Sequence, residues 1–291
     1  MTVKVRAYAK LNLFLDITGV LPNGRHTLNI ATQSVDIYDD IKITATLSDA
    51  FYCSVKCDNP DIPCDKRNIV YKAAEAFCAA AGINADISID IEKHVPLMGG
   101  MGGSSVDGAG TLVALNKIFT NRLSQQELLE IGDSIGADVP ICIRGGTQYS
   151  TASGKMVSAD CYYDCVFVCI YPDFNLSTAL AFSKYDESPT EISPYYSQFV
   201  NSIKKGSLSA CCEYITNVFT GIYRDIRIDN IKEDLMKNGA SVSEMTGSGS
   251  VVFGVFHDDN DALATIRILS KKYPHCFIAH PVNCGVTVSE C

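Results

Sequence analysis

The chain has 291 residues, a length that corresponds to roughly two ordinary domains or one large domain. Hydrophobic residues make up 47% and charged residues 20% of it, so a full core is expected and the disordered and fibrous classes are excluded. The formal net charge is −9. Because nucleic acids and anionic lipid surfaces are bound by clustered Lys and Arg, we expect neither as a partner. A small local basic site for a nucleotide is compatible with this charge.

The N-terminal segment MTVKVRAYAKLNLFLDI has only short apolar runs, interrupted by charged and amide side chains. It lacks the continuous apolar core of a signal peptide, and no segment approaches the length of a membrane span, so we expect a cytoplasmic protein. The 13 cysteines are odd in number and contain no CxxC spacing. We therefore expect reduced thiols, and the spacing of the five histidines predicts no structural metal.

The first half of the chain alternates between the two-residue apolar period of strands and the helical period. The predicted elements, in order, are strands at 3–17 and 35–47, a helix at 68–82, a strand at 86–92, a helix at 105–119, a helix from Ser124 to Gly136 and a strand at 139–144. Ser124 and Glu127 have the spacing of a capping box, which marks the start of that helix.

The second half of the chain has a different order of elements. It predicts a strand at 165–171, a polar insertion at 183–197, helices near 198–220 and 226–238, a strand at 251–256, a helix at 260–272 and terminal strands at 275–288. The polar stretch STASGKMVSAD separates two strand-like runs. The sequence therefore predicts an α+β protein without internal repeats, divided into domains at 1–155 and 156–291.

The segment KHVPLMGGMGGSSVDGAGTLVALN places a glycine- and serine-rich turn directly before a long apolar helix. Backbone N–H groups of such a turn are unobstructed by side chains and lie at the positive end of the helix dipole, an arrangement that binds phosphate. The segment matches neither the Walker pattern nor GxGxxG. A tight turn with close helix packing at Gly108 and Gly110 is the alternative interpretation.

Two charged residues stand out from their apolar surroundings. Asp138 lies between a helix ending at Gly136 and an apolar run, where it either faces a cleft as a proton acceptor or caps its own turn; the local sequence favours the cap. Lys10 is the one charge inside AYAKLNLFL and needs either an exposed face or an anionic partner. A buried Lys10–Asp138 pair beside the glycine-rich turn would form a coherent site.

Several segments together resemble the GHMP kinase superfamily, and they occur in the order expected of it. They are AKLNLFLDITG, NGRHTLNIATQSVDIYDDI, PLMGGMGGSS, IGADVPICIRGG and MTGSGSVVFGVF. The resemblance covers nearly the whole chain. It implies an α+β fold of two domains, an N-terminal ribosomal-protein-S5-like ATP-binding domain and a C-terminal ferredoxin-like domain, with the active site between them.

The resemblance also implies roles for individual residues, in a kinase that uses ATP and Mg²⁺ to phosphorylate a small-molecule alcohol. The catalytic pair would be Lys10 and Asp138. The ATP-binding residues would be Asn68 and Lys93 at the adenine, and Gly99, Gly100, Met101, Gly102, Gly103, Ser104 and Ser105 at the phosphates. No residue is assigned with certainty as a metal ligand, because Mg²⁺ would arrive with ATP, with Ser104 or Ser105 beside it. We expect a monomer or a homodimer.

Within the superfamily the nearest resemblance is to members whose alcohol carries cytidine diphosphate. The substrate-binding residues would then be Asn12, Arg25, His26, Thr178, Phe182, Gly247, Ser248 and Gly249, with His26 at the cytosine edge and Phe182 against its face. Three departures bear on this substrate: Arg25 replaces an aromatic residue, TASGK replaces Glu-Gly-x-Gly-Glu, and NVFT replaces Asn-Asp-Leu-Glu. A guanidinium plane can stack on a base, so Arg25 is compatible with cytidine.

Two other functions compete with this interpretation. One is a kinase of the same superfamily acting on another small alcohol, such as a homoserine-, mevalonate- or sugar-like substrate. The other is a catalytically silent nucleotide sensor of the same fold. Retention of both Lys10 and Asp138 argues against the sensor, which needs no proton acceptor.

Overall fold

The computed structural model describes residues 1–22, 24–161, 163–172 and 174–290. The strands are β1 (Thr2–Val20), β2 (His26–Leu47), β3 (Tyr52–Cys57), β4 (Ala85–Glu92), β5 (Thr147–Ser150), β6 (Met156–Ala159), β7 (Val166–Ile170), β8 (Thr216–Asn217), β9 (Val242–Met245), β10 (Val252–Phe256), β11 (Cys276–Ala279) and β12 (Val286–Glu290). The helices are α1 (Ile69–Ala81), α2 (Gly103–Ile118), α3 (Gln125–Ile135), α4 (Val139–Arg144), α5 (Thr178–Glu187), α6 (Tyr196–Lys204), α7 (Val218–Tyr223), α8 (Ile226–Lys237) and α9 (Asp259–Leu269), with a 3₁₀ turn at Ser209–Tyr214. The predicted α+β class is confirmed.

The larger sheet has eight strands and carries most of the N-terminal half. Its main order is β12-β1-β2-β4-β3; β5 pairs with β2 and β6, and β8 pairs with β1. The helix α2 packs closely on this sheet, because a Cβ at Gly110 would lie 2.9 Å from the Ile41 side chain. Glycine at this position therefore lets the helix backbone approach the strands, which sets the height of the glycine-rich turn above β1.

The smaller sheet has the order β11-β7-β10-β9, with every neighbouring pair antiparallel. Strands β7 and β10 are buried along their full length, as the apolar runs VFVCI and VFGVF predict. The last strand, β12, returns to the larger sheet and pairs with β1. The predicted domain division at residue 155 falls in the turn between the paired strands β5 and β6, and it stays a prediction.

Local signals placed several helices correctly. The side chain of Asn68 caps α1 by accepting from the Val70 N–H, and Gly82 ends that helix in the left-handed region with φ 63°. The capping box of Ser124 and Glu127 is formed at the start of α3, as predicted. Both signals depend only on residues within one helical turn, so they can be read from sequence.

Other predictions of secondary structure were wrong. Residues 139–144, predicted as a strand, form the helix α4, with Pro140 in its first turn where a missing N–H costs nothing. The supposed polar insertion at 183–197 contains the second half of α5, and the predicted helix near 198–220 is divided into α6, the 3₁₀ turn and α7. Strands β3, β5, β6, β8 and β9 were not predicted. Short apolar runs show no distinct period, which is why 139–144 was misassigned.

The structure also bears on the expected lack of a membrane span and on the expected reduced state of the cysteines. Among the described residues, no helix is long and apolar enough to cross a membrane. The twelve cysteines of the described chain are unpaired thiols, and most are buried or half-buried. Burial raises the pKa of the Cys78 thiol to about 11 and that of Cys53 to about 12, which suppresses the reactive thiolate form.

Candidate active site

A cavity of about 970 Å³ lies where the glycine-rich turn, the middle of β1 and the segment after β9 meet. Most of the residues proposed from sequence line it: Lys10, Asn12, Asn68, Lys93, Gly99, Gly100, Gly102, Gly103, Ser104, Ser105, Asp138, Thr178, Phe182, Gly247, Ser248 and Gly249. Residues far apart in the chain thus converge on one space large enough for a nucleotide and a second substrate.

Lys10 and Asp138 form an ion pair at the base of the cavity, with 3.5 Å between Lys10 Nζ and Asp138 Oδ2. The Lys10 side chain is only 5% exposed, whereas that of Asp138 is 35% exposed and remains accessible to a ligand. Lys10 Nζ also donates to Asn12 Oδ1 and to the Gly100 carbonyl, the latter at 2.9 Å. The ammonium is therefore compensated and held in one position.

Asp138 stands at the N-cap of α4, but its side chain makes no capping hydrogen bond. The local interpretation, in which this carboxylate caps its own turn, is therefore not what the geometry shows. Its carboxylate faces Lys10 instead.

The glycine-rich turn has the backbone geometry of an anion cradle. Gly100 and Gly102 adopt φ 78° and 83°, a left-handed conformation that disfavours other residues, and Gly102 is the N-cap of α2. A Cβ at Gly102 would lie 3.3 Å from Lys10 Cε, so the turn and the lysine are in close contact. The buried Met101 contributes its carbonyl, which accepts from the Lys10 N–H at 3.0 Å.

A second glycine loop, residues 246–250, packs against the first by direct backbone contact. Val251 N–H donates to the Gly99 carbonyl at 3.1 Å, and a Cβ at Gly247 would collide with the Gly100 carbonyl at 2.6 Å. The buried Thr246 hydroxyl accepts from the Asn12 N–H at 2.8 Å. The two loops and β1 therefore form one rigid wall of the cavity.

Lys93, expected at the adenine, has its side chain engaged behind the first loop. Its ammonium is buried between the carboxylates of Asp39 and Asp107, and it donates to Asp107 Oδ2 at 2.6 Å. It also donates to the Gly103 carbonyl at 3.2 Å. Asp39 accepts from the N–H groups of His94 and Val95 at 2.6 and 2.9 Å. This network ties both ends of the glycine-rich turn together.

The two carboxylates of this network differ. Both oxygens of Asp39 accept hydrogen bonds, whereas Oδ1 of Asp107 is buried and has no partner among the described residues. Burial raises the pKa of Asp107 well above its usual value, against the opposing effect of Lys93. Burial also opposes the charge of Lys93, but the neighbouring carboxylates outweigh it and raise the pKa of that ammonium. The lysine therefore stays charged.

The opposite end of the cavity is bounded by the loop that precedes α1. The Asn68 side chain caps that helix and donates to the Pro63 carbonyl at 2.8 Å, so it holds the loop 63–68 closed. The neighbouring Arg67 also lines the cavity and pairs with Asp65 at 2.7 Å. Hydrogen bonds from Arg67 lower the pKa of Asp65 to about 2.

On the substrate side, α5 and the second loop meet. The hydroxyls of Thr178 and Ser248 lie 2.6 Å apart, and Phe182 packs edge-to-face on Phe219 with ring centroids 5.0 Å apart. Both phenyl rings line the cavity. The segment PDFNLSTALAF also includes Asp173, which lies outside the described residues.

His26 and Arg25 lie outside the cavity lining, and His26 packs beside α5. The ring of His26 contacts that of Phe182 at a centroid distance of 4.7 Å, and its Nε2 pairs with Asp186 Oδ1 at 2.8 Å. A base cannot fit between rings that already touch, so stacking on Phe182 would use the ring surface that faces the cavity. The cytosine-reading role of His26 stays a prediction.

Sequence reasoning missed several residues that shape the site. They are Asp39, Asp107, Asn217, Phe219 and Thr246. Only Asp107 carried a visible signal, as a charge within the buried helix α2. Asp39, Phe219 and Thr246 contact partners remote in sequence, so no local pattern could have identified them. Asn217 caps α7 locally through the Phe219 N–H, but its bonds to Met245 and Gly247 are likewise remote in sequence.

Comparison with known proteins gives a consistent result. Residues 68–146 match the family described as GHMP kinases N terminal domain, and residues 227–275 match GHMP kinases C terminal. A 4-diphosphocytidyl-2-C-methyl-D-erythritol kinase of Clostridium kluyveri is 36% identical over 281 residues, 96% of this chain and 99% of the relative.

Two solved structures share the fold. A crystal structure of 4-(cytidine 5'-diphospho)-2C-methyl-D-erythritol kinase matches with a TM-score of 0.76 and 20% identity, over 96% of this chain and 98% of that one. The homoserine kinase from Cytophaga hutchinsonii matches with a TM-score of 0.79 and 18% identity, over 99% and 97%.

Two glycine loops enclosing a Lys–Asp pair in this two-sheet fold define a GHMP kinase, a class of enzyme that uses ATP as phosphoryl donor. Within that class, the chain belongs to the 4-diphosphocytidyl-2-C-methyl-D-erythritol kinase family. The resemblance inferred from the sequence motifs is thereby confirmed.

Proposed function

We propose that this enzyme transfers the γ-phosphoryl group of ATP to the 2-hydroxyl of 4-diphosphocytidyl-2-C-methyl-D-erythritol, a step in the non-mevalonate synthesis of isoprenoid precursors. The observation that carries the proposal is that one cavity joins the accessible carboxylate of Asp138 to two glycine loops. The 36% identity to a kinase with this substrate in its name supports the choice of acceptor.

The ATP phosphates would lie against residues 99–105. The positive end of the α2 dipole and the open backbone of Gly100 and Gly102 suit an anion, and a Cβ at Gly102 would press against the Lys10 side chain beside this loop. Adenine would lie toward Asn68 and the backbone of Lys93, because the Lys93 ammonium is already bound by carboxylates.

Mg²⁺ is proposed as the ion that accompanies ATP. Ser104 and Ser105 line the cavity at the first turn of α2, and no hydrogen bond engages their hydroxyls within the described chain. Hydroxyl oxygens are suitable ligands for this hard cation, so these residues fit it. When bound, Mg²⁺ would offset negative charge on the phosphates during transfer.

The chain's own chemistry centres on Asp138 and Lys10. The carboxylate of Asp138 would accept the proton of the substrate hydroxyl, or orient that hydroxyl, as it attacks the γ-phosphorus. Lys10 places a positive charge beside this carboxylate, and its bond to the Gly100 carbonyl keeps the ammonium against the phosphate loop. Positioning and positive charge are the main requirements of phosphoryl transfer.

The acceptor would occupy the side of the cavity formed by α5 and the second glycine loop. Phe182 and Phe219 offer aromatic surface for a base, while Thr178 and Ser248 offer hydroxyls near the polyol. Arg25 would cover the outer face of the cytosine. All of these groups come from one chain, so either a monomer or a homodimer would be active, and analytical ultracentrifugation distinguishes the two.

A substrate panel tests this proposal. The purified enzyme is supplied with Mg-ATP and either the cytidyl substrate, homoserine, mevalonate or a sugar, and ADP release is measured. We expect the cytidyl compound to give the highest kcat/KM. A much higher kcat/KM for a small alcohol would favour the alternative substrate class, and ATP binding without turnover on any alcohol would favour the sensor.

The base-binding part of the proposal has its own test. Because stacking of a base on an aromatic ring contributes about 1–3 kcal/mol, Phe182→Ala should raise KM for the cytidyl substrate by roughly tenfold to a hundredfold. Arg25→Tyr should be tolerated and Arg25→Ala should not, since only the former retains a planar group. Unchanged KM in Phe182→Ala would remove this ring from the base site.

A further inference from the structure

Asn217 is a buried amide that connects three segments near the second glycine loop. Its Nδ2 donates to the carbonyls of Met245 and Gly247, both at 2.7 Å, and its Oδ1 accepts from the Phe219 N–H at 2.9 Å. Reversing the amide would bring its donor against a donor and its acceptor against two acceptors. The three contacts therefore define one orientation of this side chain.

Asn217 also lies in β8, which pairs in parallel with β1 at Leu15. Strand β1 carries Lys10 and Asn12, so the amide links the strand of the catalytic pair to the second glycine loop. The Asn217 side chain itself does not line the cavity. Any effect on the reaction must therefore pass through the loop that it holds.

The contact with Gly247 determines the direction of the next backbone N–H. The peptide bond between Gly247 and Ser248 is trans, so its C=O and N–H groups point in opposite directions. Because the Gly247 carbonyl is directed toward Asn217, the Ser248 N–H is directed away from it. Ser248 is one of the residues that line the cavity.

We propose that Asn217 is a positioning residue that aims the Ser248 N–H at the phosphoryl group during transfer. This inference rests on the proposed binding of the ATP phosphates against residues 99–105, the loop on which the second glycine loop packs directly. A backbone donor fixed in advance stabilises charge in the transition state without reorganisation. Gly247 and Gly249 flank Ser248 and adopt left-handed φ of 57° and 86°. Because a glycine backbone is flexible, hydrogen bonds from other segments are needed to hold this stretch in one conformation.

Asn217→Ser is the most selective variant. Serine retains an oxygen that can cap α7, but it cannot reach the two loop carbonyls. Asn217→Asp is the second variant: it keeps the shape and places an acceptor against two acceptors. The matched control is Asn116→Asp, because Asn116 is also a buried amide with bonds to both backbone groups of Leu123, remote from the cavity.

Two measurements are made on each protein. The first is kcat with saturating Mg-ATP and cytidyl substrate; removal of one backbone donor of this kind predicts a loss of about a hundredfold, with little change in KM for ATP. The second is the amide proton shift of Ser248 in the full-length protein on saturation with Mg²⁺ and adenylyl imidodiphosphate. We expect a downfield shift in the wild type and in Asn116→Asp, and little shift in either Asn217 variant.

The possible outcomes distinguish a failure of the inference about Asn217 from a failure of the proposed function. If the Ser248 amide proton of the wild type does not shift when the nucleotide analogue is added, the phosphate site at this loop is refuted, and the inference with it. A responsive wild type with the same shift and the same kcat in Asn217→Ser would overturn the inference alone. An Asn116→Asp protein that loses kcat equally would show that the effect is general destabilisation.

Discussion

The carboxylate of Asp138 lies 3.5 Å from Lys10 Nζ, although Asp138 stands at a helix N-cap where an aspartate ordinarily bonds to its own backbone. The helix thus gives up a favourable cap, and the carboxylate becomes available at the cavity. Such local loss of stability is characteristic of residues kept for chemistry.

The first prediction concerns this carboxylate. Asp138→Asn should lower kcat by about 10²–10⁴-fold, as expected for removal of a general base, while the affinity for ATP is retained. Asp133→Asn is the matched control, because Asp133 is an exposed carboxylate on the preceding helix. Steady-state kinetics and calorimetry give the two quantities. Full activity in Asp138→Asn would remove this residue from the catalytic pair.

The second prediction concerns the phosphate cradle. Gly102→Val should weaken ATP binding by about tenfold or more, because the new side chain would press on Lys10 and φ 83° disfavours any residue with a Cβ. Gly154→Val controls for backbone strain, since Gly154 has φ 79° but open space around it. Isothermal calorimetry should find ATP affinity reduced only in the first variant. Equal affinities would place the phosphates elsewhere.

The third prediction compares the two carboxylates that bind Lys93. Asp39→Asn should reduce the free energy of unfolding by about 3–5 kcal/mol, the usual cost of breaking a buried pair. Asp107→Asn should cost less, because the raised pKa of Asp107 shows that its charged form is poorly stabilised and one of its oxygens has no partner in the described chain. Urea denaturation measures both. An equal or reversed order would contradict this asymmetry.

Sequence alone predicts contacts between residues that are close in the chain better than contacts between residues that are far apart in it. The start of α1 at Asn68 and its end at Gly82 follow from signals within a turn, and they were placed correctly. The Lys10–Asp138 contact was inferred because the two motifs resemble those of one family. The buried partnership of Lys93 with Asp39 was not, because it joins β2 to the residues after β4 and only folding brings them together.

Residues 139–144 show a second limit of prediction from sequence, which is the short length of the element. Six residues with buried Val139, Ile141 and Cys142 are too few to distinguish a helical from a strand period. Tertiary packing determines that these residues form a helix. Gly132 and Gly136 lie against Val139, and a Cβ at either glycine would come within 3.2 Å of the Val139 side chain. A helix in this position directs Asp138 toward β1.

The fourth prediction is a pH dependence of stability. His280 bridges Asp36 on β2 and Asp259 on α9, with 2.8 Å to each carboxylate. Burial opposes protonation of this ring, but the two carboxylates outweigh burial and raise the pKa of His280 above 6.5. Because the folded-state pKa is raised, the stabilisation is complete below the unfolded-state pKa and is lost as pH rises through the folded-state pKa.

Thermal unfolding of the wild type and His280→Gln at pH 5.5 and pH 8.5 tests this. The difference in Tm should be larger at the lower pH. His257→Gln serves as the control, since exposed His257 has no carboxylate partner among the described residues and its ring nitrogen hydrogen-bonds to the Ser241 hydroxyl. A difference that is independent of pH would mean that the bridge does not depend on the charge of His280.

In the proposed function, the cavity transfers a phosphoryl group from ATP to an alcohol of the cytidyl substrate. Phosphorus-31 NMR of the reaction mixture tests it most directly, because a new phosphomonoester resonance is resolved from the diphosphate, ATP and ADP signals. We expect one equivalent of this phosphomonoester for each ADP formed by the wild type, and almost none with Asp138→Asn. ADP accompanied only by inorganic phosphate, or a phosphomonoester formed equally by Asp138→Asn, would contradict it.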